Sequence, residues 1–111
     1  MIPTTIAEAI EELKNMLDAK EIGMCMRLTE KEGLNRVHHS LGRWIRNTWG
    51  LWTKDSLLYM HLHEYGLWHA DDMSDVILKA FYRELHGLPW EIEKEVERYN
   101  KHWANMNVQP E

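Results

Sequence analysis

At 111 residues the chain is sized for one domain, with 44% hydrophobic and 28% charged residues, the balance of an ordinary soluble protein. A domain of this length buries roughly two-thirds of its unfolded surface, so neither a disulfide nor a metal is needed to hold it. The formal net charge of −5 argues against general nucleic-acid binding, although a local basic patch can sit inside an acidic total.

Protonating the seven histidines would move the formal charge from −5 to +2, so solubility and self-association should change as pH falls from about 7 to 5. Cys25 is alone, which excludes an internal disulfide and fits a reducing, cytoplasmic compartment. No basic segment followed by an apolar run marks a signal peptide, and no apolar stretch is long enough for a membrane span.

In chain order, Thr5 and Glu8 form the spacing of a capping box, and Ile6, Ile10, Leu13 and Leu17 make one face of a helix over about 5–18. Residues 19–28 read as irregular, with Met24, Cys25, Met26 and Leu28 plugging the core. Packing is the simpler reading of that run than a metal or redox role. Thr29 and Glu32 repeat the capping spacing and open a long helix over about 30–49. Its apolar stripe is Leu34, Val37, Leu41, Trp44 or Ile45, and Thr48; Arg36, His39, Ser40, Arg43, Arg46 and Asn47 gather opposite.

Gly50 stops that helix, Leu51 and Trp52 turn back, and Asp55 or Ser56 caps a third helix over about 55–65. Its inner side reads Leu57, Leu58, His61, Leu62 and Tyr65. Gly66 ends it. Asp71 reads as the N-cap of a fourth helix that buries Met73, Val76, Ile77, Ala80 and Phe81 and closes at Gly87. Pro89 starts a fifth, with Ile92, Val96, Tyr99 and Trp103 inside and Glu91, Glu93, Lys94, Glu95 and Glu97 outside, most simply as a solvated face. The expected architecture is therefore all-α: a single compact bundle of about five short helices in one domain over 1–111, ordered over about 5–104, with a frayed tail at 105–111.

Two stretches carry a resemblance. The run LGRWIRNTWGLW at 41–52 and the run GLWHADDMSDVIL at 66–78, behind the amphipathic TIAEAIEELKNML, resemble a family of small helical bacterial and phage domains of unknown function. The likeness extends over about 5–103. It implies a single helical domain and carries no catalytic residues. Ala70 departs from the pattern, where proline is expected.

The leading candidate site is the arginine face with its aromatics: Arg36, His39, Arg43, Arg46, Asn47, Trp49 and Trp52. Arginine offers a planar fork of donors for phosphate or carboxylate, and tryptophan a flat surface for stacking. The competing reading pairs these arginines with glutamates of the first and last helices and places the tryptophans in the core. A second candidate is His69, Asp71 and Asp72, as a metal or acid–base set joined by His61, His63 and Glu64. His61 and His63 point to different sides of a helix, Asp71 has a simpler task as a cap, and no serine–histidine pair or glycine-rich phosphate loop stands out.

The function expected is that of a small non-enzymatic binding protein acting by occupancy on a partner protein or a small anionic, nucleotide-like ligand. It fits a phage or mobile-element protein that interferes with host defence or regulation, by analogy alone. No cofactor, metal or membrane is expected. The alternatives are a small hydrolase centred on His69, Asp71 and Asp72, and a structural homo-oligomer.

Overall fold

The computed structural model describes residues 2–107. These are all-helical, without a strand, and carry seven helices instead of about five: α1 (Ile6–Met16), α2 (Ala19–Arg27), α3 (Glu30–Val37), α4 (Leu41–Thr48), α5 (Leu57–Glu64), α6 (Ala70–Leu85) and α7 (Ile92–Asn105). The helical end of α7 includes Asn105, while residues 108–111 of the expected tail lie outside the described residues.

The first extra helix is α2, where irregular chain was expected. Asp18 accepts from the Glu21 amide at 2.8 Å, and the Glu21 carboxylate accepts from the Asp18 amide at 3.1 Å. This capping box satisfies two otherwise free amides, enough to carry Gly23, whose helix penalty is about 1 kcal/mol. The second arises because the expected long helix breaks at 38–40 into α3 and α4. No glycine or proline marks the break; tertiary contacts make it. The His38 ring lies 2.6 Å from Asp75 of α6, and the His38 carbonyl faces the Arg46 guanidinium at 3.5 Å.

Helix α6 is the axis of the molecule, and α1, α2, α3, α4 and α7 all pack on it. Its core face is Met73, Val76, Ile77, Ala80 and Phe81, against Ile6, Ala9, Ile10 and Leu13 of α1, Ile45 of α4 and Val96 of α7. Helix α5 lies on α1 and contributes Leu58, Tyr59 and Leu62; Leu57, expected inside, is exposed. Gly50 takes a left-handed φ of 74° just past α4, and the Leu51 amide reaches back to the Arg46 carbonyl at 3.0 Å. That bond closes the helix end and turns Leu51 into the core.

The last helix departs from its expected solvated face at one position. Glu95 is 1% exposed and receives Lys79 at 3.0 Å and Arg83 at 2.8 Å. Arg83 also grips Glu30 of α3 and donates to the Trp90 carbonyl, so one guanidinium joins α3, α6 and the approach to α7. Burial opposes the Glu95 charge, but the hydrogen bonds from Arg83 and Lys79 prevail and hold its carboxyl below the usual range. Glu91, Glu93 and Glu97 do face solvent.

Candidate binding surface at the junction of α4 and α6

The two tryptophan-bearing stretches meet in space. Helix α4 lies across the N-terminal half of α6, and Gly42 permits the close approach: a Cβ there would stand 3.1 Å from Arg46 Nη1 and 3.7 Å from Leu78 Cδ1. The space left open is filled by Arg46, which is 5% exposed. Its Nη1 donates to Ser74 Oγ at 2.7 Å, and Ser74 Oγ in turn donates to the Asp71 carbonyl at 3.0 Å. Its Nε stands 3.3 Å from Asp71 Oδ1, near enough for an ion pair but off-angle for a hydrogen bond. Arg46 is therefore an internal strut and leaves the expected arginine face.

Trp49 leaves it too. Its side chain is buried, with its ring edge-on to Trp44 at 5.5 Å. The competing reading was correct that these two residues are structural, although Arg46 pairs with an aspartate of α6 and not with a glutamate of the first or last helix.

What remains outside is coherent. At 100° per residue, Arg43, Trp44, Asn47 and Thr48 share the solvent side of α4, opposite Gly42, Ile45 and Arg46. Of Trp44 and Ile45, the two alternatives that periodicity offered for the inner position, Ile45 fills it and Trp44 is 38% exposed. Trp52 is 58% exposed and is held in place: its indole nitrogen donates to Asn47 Oδ1 at 2.7 Å. Arg36 and His39 are exposed on the preceding α3 and its turn, and neither Arg36 nor Arg43 meets a carboxylate among the described residues.

Trp52 also forms one wall of a depression of about 230 Å³ with Leu51, Tyr59, Trp68, His69 and Ala70. Trp68 and Tyr59 were not singled out as site residues; the repeat of tryptophan just before the HADD run was the one signal available.

The second candidate set is engaged elsewhere. The N-cap of α6 is His69, not Asp71: the helix begins earlier, and His69 Nδ1 accepts from the Asp71 amide at 3.1 Å. Ala70 is the first helical residue, a position that proline also fits. The His69 ring stacks on Trp103 at 5.3 Å. Asp72 accepts from the Trp103 indole at 2.7 Å, while burial pushes its carboxyl up. Asp75 is likewise pushed up by burial, against the opposing pull of His38. His69, Asp71 and Asp72 thus hold the helix start together, His69 and Asp72 both against Trp103 and Asp71 against Arg46. No group of three or more histidine, cysteine or acidic side chains among the described residues converges as metal ligands would. Cys25 is half-buried in the groove between α2 and α3, and burial, with Glu21 beside it, raises its thiol pKa.

No helix among the described residues is long and apolar enough to cross a membrane. No curated protein and no solved structure matches the chain. A family model does match, over residues 2–85, a shorter span than the resemblance suggested; it ends with α6, so α7, with Glu95 and Trp103, lies beyond it. The chain belongs to the family described as a domain of unknown function, DUF6794.

Proposed function

We propose that this protein is a non-enzymatic binding module that acts by occupancy, engaging an acidic segment of a partner protein through the outer side of α4. The observation that carries the reading is the outward-facing Trp52, pinned to Asn47 on the side of α4 that also carries Trp44 and Arg43, the latter without a carboxylate partner among the described residues. Exposed tryptophan and arginine are the residues that dominate interface energetics. A side chain already held by Asn47 loses little further freedom on binding. Arg43 gives this side a cationic group, which in a protein of net charge −5 orients an acidic partner.

A phage or mobile-element protein that blocks a host factor is the setting that suits such a module. The lone Cys25 suits the reducing cytoplasm.

The test compares proteins captured from a bacterial lysate by the wild type, Arg43→Glu and Trp52→Ala. A partner retained by the wild type and lost from both variants, with melting temperatures within a few degrees, supports the reading. Capture that is indifferent to both changes removes it.

A further inference from the structure

A second feature lies on the other side of α3. Helices α2 and α3 contain no fully buried residue, although both carry an apolar side. Helix α2 is tied to α6 near its C-terminal end, whereas α3 is tied at both ends, at its start through Glu30 and past its end through His38 and Asp75. Tyr82 Oη donates to the Leu28 carbonyl at 2.7 Å, His86 Nε2 lies 3.2 Å from the Met26 carbonyl, and Arg83 holds Glu30. Away from those ties the inner sides of the two helices stand apart.

The gap has two connected parts. A narrow inner end of about 30 Å³ lies between Leu34, Leu78, Phe81 and Tyr82. A wider outer groove of about 340 Å³ runs between Leu17, Met24, Leu28 and Arg36. Cys25, Gly33, Val37 and Leu41 line both, so the two form one cleft. Its size falls at the lower end of ligand pockets, which run about 300–1,000 Å³.

The cleft is polarised. Its inner end is walled mainly by aliphatic and aromatic carbon, with Glu30 and Lys79 also lining it but paired with Arg83 and Glu95, and methionine at the outer groove can adapt to an irregular guest. Its mouth carries Arg36, without a carboxylate partner among the described residues. The other charged group at the mouth, Glu21, is occupied by the Asp18 amide in the α2 cap.

We propose that this cleft binds a soluble single-chain amphiphile with a carboxylate head, its chain between α2 and α3 and its head on Arg36. A flexible apolar chain matches a narrow, carbon-lined channel, and guanidinium is the natural counterpart of a carboxylate. Because α2 buries no side chain completely and is tied to α6 near its C-terminal end, it can move away from α3 without breaking the core beneath. The site is separate from the outer side of α4 and does not depend on its role.

Decanoate, kept below its micelle concentration at pH 7.5, serves as the probe, and decanol as its uncharged counterpart. Binding is read by calorimetry and by the methyl resonance of Met24. The expected result is saturable one-to-one binding that shifts Met24. Gly33→Leu then tests the site itself. Gly33 is helical with ordinary φ, and its nearest neighbour, Tyr82 Cδ2, is 3.9 Å from where a Cβ would stand. The new side chain enters the cleft while leucine favours the helix, and decanoate affinity should fall at least about tenfold. Arg36→Glu should weaken decanoate about three- to tenfold and leave decanol unchanged. Arg43→Glu and Trp52→Ala should leave decanoate binding intact.

Absence of saturable binding, or binding unaffected by Gly33→Leu in a protein that still melts cooperatively, overturns the proposal. Equal loss of decanol and decanoate in Arg36→Glu overturns the head-group assignment.

Discussion

Helix α6 meets its neighbours in two contrasting ways. Against α4 the contact is close and polar: Gly42 removes the side chain that would hold the helices apart, and Arg46 fills the space with bonds to Ser74 and the Asp71 side. Against α2 it is loose: Tyr82 and His86 hold the carbonyls at its C-terminal end while Met24, Cys25 and Leu28 stay half-buried, and α3 beside it, tied at both ends by Arg83 and Asp75, buries no residue fully. The difference separates rigidity from adaptability within one small fold. The close contact fixes the geometry of an outer surface; the loose one leaves room for a guest.

The strongest way to break this contrast is to remove the strut. Arg46→Ala opens a void under α4 and removes the donor to the buried Ser74 hydroxyl and the ion pair with Asp71. It should cost about 2–4 kcal/mol, and the melting temperature should fall by more than about 8 °C. A shift within a few degrees would show that α4 does not rely on Arg46.

Glu95→Gln attacks the other polar contact of α6. It leaves Lys79 and Arg83 buried beside a neutral group and should cost about 3 kcal/mol at neutral pH. The pH dependence has a definite sign. The Glu95 carboxyl titrates lower in the folded protein than in the unfolded chain, so its stabilisation is present above 4.5 and is lost as pH falls through the folded value. Asp72 and Asp75, raised by burial, act in the opposite direction: their charge penalty at neutral pH disappears as they protonate. Denaturant melts from pH 6 to 3 should therefore show an acid loss that is shallower in Glu95→Gln; an unchanged slope would place the acid-sensitive group elsewhere.

The loose contact is sharpened by smaller changes. Gly33→Ala supplies a helix-favouring residue where the new Cβ meets only ordinary contact, and should stabilise by up to about 1 kcal/mol. Amide exchange should be faster in α2 and α3 than in α6, and slower in α3 once Gly33 is replaced. Equal protection across the three helices would mean that α2 and α3 are as firmly seated as α4.

The smallest effect belongs to Arg43→Ala. Arg43 stands only three residues from Arg46 but faces solvent, so stability should change by no more than about 0.5 kcal/mol. A loss as large as that of Arg46→Ala would erase the distinction between strut and surface.

Much of the local structure was legible in the sequence. Thr29 and Glu32 cap α3 reciprocally, as their spacing predicts. Thr5 caps α1 as predicted, though the Glu8 carboxylate turns to Thr4 instead of completing the box with Thr5. Ile6, Ile10 and Leu13 form the inner stripe, and Gly50 and Gly87 take positive φ at helix ends. These features depend on bonds between near neighbours or on a repeat within one helix, and so are written locally. Asp18 and Glu21 were equally local. Their box was missed because Gly23 and the methionine run drew the segment toward an irregular reading.

The rest was decided by contacts between distant parts of the chain. The break at 38–40 has no local marker, because Asp75 and Arg46 impose it from other helices. Arg43 and Arg46 lie 60° apart on a helical wheel by the 100° rule, and periodicity assigns them to one face. Only the position of α6, admitted by Gly42, buries one and leaves the other in water. Glu95 likewise reads as one more solvated glutamate until Lys79 and Arg83 reach it from α6. The sequence by itself determined that this chain is helical and where most helices start and stop, since propensity and capping act over a few residues. Tertiary structure alone decided which charges are buried and which tryptophans face outward, because burial depends on what packs above each residue.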